Sequence, residues 1–161
     1  MAKEKNIKTN AMRILDSLNI AYEMQSYECD EFVDGVTTAD KLGLPHELVY
    51  KTLVTIAKSR SYYVFVIPIE AELDLKAAAK AVKEKALELL PLKDLTPVTG
   101  YIRGGCTAIG MKKAFPTVVD ASVEKLSHLH VSGGKPGLQL KLSVEDYLKA
   151  SKAVTADVIA G

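Results

Sequence analysis

Val49-Tyr50-Lys51-Thr52-Leu53-Val54-Thr55-Ile56-Ala57 is followed by Lys58-Ser59-Arg60-Ser61 and then by Tyr62-Tyr63-Val64-Phe65-Val66-Ile67-Pro68-Ile69. The first run is rich in β-branched and aromatic residues, Ser59-Arg60-Ser61 is a turn, and the second run is almost continuously apolar. Together they predict a β-hairpin whose second strand is buried on both faces. Lys51 interrupts the first run. A lysine in an apolar strand either snorkels outward or is held inward, where its ammonium can polarise a bound carbonyl and Thr52 beside it can donate a hydroxyl hydrogen bond.

Working upstream, Ile7, Ala11, Ile14, Leu15 and Leu18 lie at helical spacing, with Asn19 as the end. Ile20 to Ser26 reads as a short strand, Asp30 to Gly35 as an acidic irregular segment, and Thr37 to Leu42 as a short helix closed by Gly43. Pro45 opens a further helical turn. Downstream, Asp74 suits the N-cap of a helix running to Lys85, Ala86 to Leu90 reads as a strand, and Lys93 to Leu95 as a short helix or turn before Thr96-Pro97. Thr117 to Asp120, His128 to Val131 and the alternating Leu138 to Leu142 are strands, and Ser143 caps a terminal helix to Ser151. Many short strands with irregularly interspersed helices predict an α+β domain over residues 1–161: a mixed, barrel-like sheet surrounded by helices rather than a regular βαβ array.

The 161-residue chain is long enough to bury a core without staples. It carries 21 Lys and Arg against 20 Asp and Glu, a net charge of +1. A protein that grips nucleic acid by phosphate neutralisation alone shows a basic excess, so contact with nucleic acid is expected to be local or helped by a partner. The two cysteines, Cys29 and Cys106, form no CxxC pair, and no metal or cofactor is expected. The start of the chain lacks an apolar h-region and the apolar runs are strand-length, so a cytoplasmic protein that neither crosses nor binds a membrane is expected.

Two glycine loops stand out, Gly104-Gly105 and Ser132-Gly133-Gly134. Consecutive glycines serve as tight turns, or they bare N–H groups that cradle a carbonyl or an oxyanion. His128 and His130 share a strand face at i, i+2 without a third metal ligand at usable spacing. Cys106 has no neighbouring base in sequence and reads as a small buried thiol. Lys76, Lys80, Lys83 and Lys85 form a solvated helix face.

These motifs, in this order, resemble the YbaK family of aminoacyl-tRNA deacylases. Val49 to Val54 is similar to the family's VFKTL strand, and Gly100-Tyr101-Ile102-Arg103-Gly104-Gly105 with Gly110-Met111-Lys112-Lys113 to its GYxxGGxxPxGxKK stretch. Val131 to Leu138 is similar to its VSGGKRGL loop, and Asp74 to Lys80 to its LNLKKAAK helix. The resemblance implies the barrel-like fold that some prolyl-tRNA synthetases carry as an editing domain. It implies hydrolysis of mischarged tRNA(Pro), above all the cysteinyl ester, with prolyl-tRNA synthetase as a helper and no DNA. It makes Lys51 the key residue, with Tyr27, Thr52, Gly104, Gly105, Ser132 and Gly133 toward the substrate, and it aligns Phe32 with a family loop phenylalanine. The family's Ser-Pro after the glycine pair is Thr107-Ala108 here, and Gln139 stands where some members carry an acidic residue. The mechanism it implies is substrate-assisted: the substrate's own thiol attacks its carbonyl. Alternatives left open are an alanyl or other small aminoacyl ester, for which water must attack, and a non-catalytic tRNA- or synthetase-binding module.

Overall fold

The computed structural model describes residues 8–26 and 35–160. In chain order these form α1 (Asn10–Ser17), β1 (Glu23–Ser26), α2 (Gly35–Leu42), a 3-10 turn (His46–Leu48), β2 (Tyr50–Ala57), β3 (Tyr62–Pro68), α3 (Leu75–Ala81) and β4 (Leu87–Leu89). There follow α4 (Leu92–Thr99), β5 (Thr117–Asp120), a second 3-10 turn (Ala121–Lys125), β6 (His128–Ser132), β7 (Leu138–Ser143), α5 (Val144–Ser151) and β8 (Val154–Ala156).

Local chemistry sets the ends of these elements. The Asp74 carboxylate accepts from the N–H groups of Lys76 and Ala77, and the Ser143 hydroxyl accepts from Asp146 N–H, so both predicted caps are in place. Thr9 caps α1 by accepting from Met12 N–H. One expectation is corrected: the helix before Thr96-Pro97 does not stop there but runs through Pro97 to Thr99. Proline forfeits one helical hydrogen bond. The last turn is tied instead by side chains, with Thr99 Oγ1 donating to Leu95 O at 2.8 Å and Thr96 Oγ1 to Tyr101 O at 2.9 Å.

The hairpin forms, with Lys51 opposite Ile67 and Thr52 opposite Val66. It lies inside a five-stranded sheet of order β4-β2-β3-β5-β8, in which β5 pairs parallel to β3 and β8 parallel to β5. A second, three-stranded antiparallel sheet has the order β1-β7-β6. The mixed α/β domain is as expected, but no closed barrel is seen among the described residues. Among the described residues the backbones of the two sheets are joined by one parallel bridge, Val49 to His130.

The side-chain period of two sorts the core. Tyr50, Val66 and Val119 face a cluster with Leu129, Val131, Leu138, Leu140 and Leu142 of the smaller sheet, closed by Leu15 of α1 and Tyr147 of α5. Phe65, Ile67 and Val118, on the opposite face, pack on Ala78 and Ala79 of α3. Because Leu138, Leu140 and Leu142 face the core, Gln139 and Lys141 occupy the other face of β7, beside Ser132 and His130.

This topology leaves a gap along β2. The strand pairs with β4 only over Thr55–Ala57, and Leu90 N–H adds a bond to Val54 O at 2.9 Å. At the other end Val49 bridges to β6. Between the two, Tyr50 to Leu53 have no strand on that edge among the described residues. An unpaired stretch of edge is where a ligand gains access to a strand's backbone and flanking side chains.

Candidate active site

The gap opens into a cleft of about 630 Å³, within the range that takes a whole small-molecule ligand. Lys51, Thr52, Gly104 and Ser132 all line it. Residues from three separate parts of the chain are thus brought to one place, and Lys51 is half-buried there. Gly105 and Gly133 are buried and are not among the lining residues. Tyr27 and Phe32 lie outside the described residues.

The two glycine loops are locked face to face. A Cβ on Gly105 would lie 2.6 Å from Lys135 Cα, and one on Gly133 would lie 2.7 Å from the Leu138 side chain. Only glycine permits so close an approach. Gly104 has φ +87°, and its carbonyl accepts a hydrogen bond from Ser132 Oγ at 3.3 Å, so Ser132 also stitches the loops together. Tyr101 anchors the base of the first loop: its buried hydroxyl donates to Ile109 O at 2.7 Å, and burial pushes it up to about 12.

The sequence reading did not see that the start of α1 holds the second loop and the segment that follows the first. Thr9 Oγ1 donates to Gly133 O and Asn10 Nδ2 donates to Gly110 O at 2.7 Å. Partners 100 and 124 positions apart leave no local signal. A second unforeseen feature is a row of polar side chains on one face of the smaller sheet: Gln25 pairs with Gln139, and Gln139 with Ser132. Gln139 lines the cleft, and its Oε1 and that of Gln25 are buried without a hydrogen-bond partner among the described residues. Thr52 Oγ1 is buried and unpartnered in the same way.

Cys106 also lines the cleft. It is buried, and burial pushes its thiol up to about 11, so at neutral pH it is protonated and a poor nucleophile. The cleft lining holds no histidine and no carboxylate among the described residues. His128 and His130 stack edge to face with centroids 6.0 Å apart. No group of three or more His, Cys, Asp and Glu is placed to hold a metal ion among the described residues. What the cleft offers chemically is one ammonium, fixed hydroxyl and amide groups and a shaped wall: the means to position and polarise an ester.

Comparisons with known proteins agree with the ordered motifs. The family model described as Aminoacyl-tRNA editing domain matches residues 33–150, well over half the chain. A protein of Enterococcus faecalis (strain ATCC 700802 / V583), provisionally named Cys-tRNA(Pro)/Cys-tRNA(Cys) deacylase EbsC, is 41% identical over 160 residues, covering 98% of each chain. The fold matches a crystal structure described as a provisional trans-editing enzyme for prolyl tRNA synthetase, with a TM-score of 0.80 at 19% identity, over 97% of this chain and 100% of that one. It also matches hypothetical protein APE2540, with a TM-score of 0.84 at 20% identity, over 94% and 99%. By its sequence match, its motifs and its fold, the chain belongs to the aminoacyl-tRNA editing domain family, the YbaK family of deacylases.

Proposed function

We propose that this protein is a trans-editing hydrolase that removes cysteine from mischarged tRNA(Pro), and that the substrate supplies its own nucleophile. The observation that carries this reading is the cleft in which Lys51, Thr52, Gly104 and Ser132 converge while Cys106, the cysteine beside them, is held as a protonated thiol. In the proposed reaction the cysteinyl thiolate attacks its own ester carbonyl. A carbon–sulfur bond forms and the carbon–oxygen bond to the ribose breaks. The ribose oxygen leaves with a proton, and water then opens the cyclic thioester to free cysteine. Lys51 stabilises the negative charge on the carbonyl oxygen, and the Gly104 and Ser132 loops with Thr52 hold the ester in the reactive pose.

The near-neutral charge favours a helper in tRNA binding, prolyl-tRNA synthetase, in the cytoplasm where charging takes place. The relative's name couples tRNA(Pro) with tRNA(Cys), so correctly charged Cys-tRNA(Cys) belongs in any substrate panel. The deciding experiment is a deacylation assay on Cys-tRNA(Pro) with and without the synthetase. Turnover by the chain, raised by the synthetase, is expected. Tight binding with no hydrolysis in either condition means a non-catalytic module.

A further inference from the structure

One wall of the cleft has no work in the chemistry just described. Leu89 closes β4, Leu92 opens α4, and Leu90 and Leu95 lie between and beyond them; all four line the cleft. Leu89 is 52% exposed and Leu92 56% exposed, which is unusual for leucines grouped on one concave surface. The lining also holds the polar side chains of Lys51, Ser132 and Gln139. Among the described residues the charged side chains of the lining are Lys51 and Arg103. The cleft therefore sets an apolar slab beside a polar ester site.

We propose that the leucine wall seats the terminal nucleobase of the aminoacylated RNA. Bases at single-stranded RNA ends are recognised by laying their faces on side chains, and an apolar slab accepts such a face. A ribose joins base to aminoacyl group, so the two must bind within one ribose of each other, as a shared cleft allows. The cleft volume also suits an aminoacyl-nucleoside better than an amino acid alone. Binding energy from this remote group would hold the ester against Lys51.

The inference rests on the deacylase reading, and its test separates the two. Cys-tRNA(Pro) ending in adenosine is compared with the same RNA carrying an abasic terminal ribose, using the wild type and the L89S/L92S double variant. In parallel, binding of a stable 3′-cysteinylamido-adenosine is compared with that of its analogue lacking adenine. Removing the base is expected to cost the wild type about tenfold in kcat/KM, mostly in KM, and a similar factor in analogue binding. L89S/L92S is expected to lose about the same factor, with no further loss from the abasic end. Equal handling of both RNAs by the wild type overturns the base seat while leaving the deacylase reading intact. Absence of turnover with adenine-dependent analogue binding does the reverse. A double variant that keeps its own turnover but loses stimulation by the synthetase makes the wall a protein-docking surface and overturns the proposal as well.

Discussion

Lys51 carries the account at the level of single residues. It is half-buried in the gap of β2 and lines the cleft with Thr52. Lys51→Ala is expected to lower single-turnover deacylation by about 10²–10³-fold, the cost of losing one preorganised oxyanion partner. Stability should change by no more than about 0.5 kcal/mol, since no ion pair or core cluster among the described residues includes Lys51. Lys51→Arg should not restore the rate, because a planar fork does not replace a compact ammonium. Cys106→Ala is the contrast, and should retain turnover because the thiol it removes is raised by burial to about 11. Normal rates in Lys51→Ala, or a dead Cys106→Ala of normal melting temperature, would reverse the two assignments.

The glycine loops belong to the scale of elements. Gly105→Ala forces a methyl into the Lys135 backbone, at 2.6 Å from Cα, where nothing flexible can give way. Overpacking of this kind typically costs about 1–3 kcal/mol. The melting temperature should fall and KM rise, as the Ser132–Gly104 contact is prised apart. Unchanged melting would show that the loops do not pack as described. Elements differed in how legible they were. The hairpin could be read because β-branched runs flank a polar turn, and the caps of α3 and α5 because Asp74 and Ser143 sit where orphan N–H groups need acceptors. The end of α4 could not, because its last turn is held by Thr96 and Thr99 against the proline rule. The strand β8 is three residues long and owes its existence to pairing with β5.

At the scale of the whole molecule, the joint between the two sheets is exposed to acid. His130, at the bridge to Val49, is buried and its Nδ1 has no partner among the described residues. Burial, then His128 and Lys141, push its pKa below the ordinary histidine value, and Glu23 opposes them. A histidine lowered on folding is neutral in the native state while the unfolded chain takes up a proton. Its contribution is present above about pH 6.5 and is lost as pH falls below that value. His46 has the opposite sign: its hydrogen bonds to Asp40 and Glu70 raise it, and its contribution is lost as pH rises through its folded value. Urea unfolding of the wild type against His130→Gln isolates His130, and the variant should lose less stability between pH 7 and 5. Parallel pH curves would contradict this. The family's order of motifs was legible from end to end, because Lys51, Gly104 and Ser132 each sit in a short quotable stretch. Their meeting in one cleft followed from the resemblance and not from any spacing in the chain, and the leucine wall was not legible at all, since it depends on where β4 leaves β2.

The central claim is that the substrate brings the nucleophile. It is tested most directly by single-turnover deacylation of cysteinyl-, seryl- and alanyl-tRNA(Pro) at one enzyme concentration. A thiol with pKa near 8.5 is a few per cent ionised at pH 7, while a hydroxyl is not ionised at all. Held against its own carbonyl, the thiolate also has the advantage of intramolecular attack. The account predicts that the cysteinyl ester is cleaved on the order of 10²-fold faster than the other two, with a rate that climbs from pH 6 to 8 as the thiol ionises. Equal cleavage of all three esters would contradict it, because a water or an enzyme group would then be the attacking species.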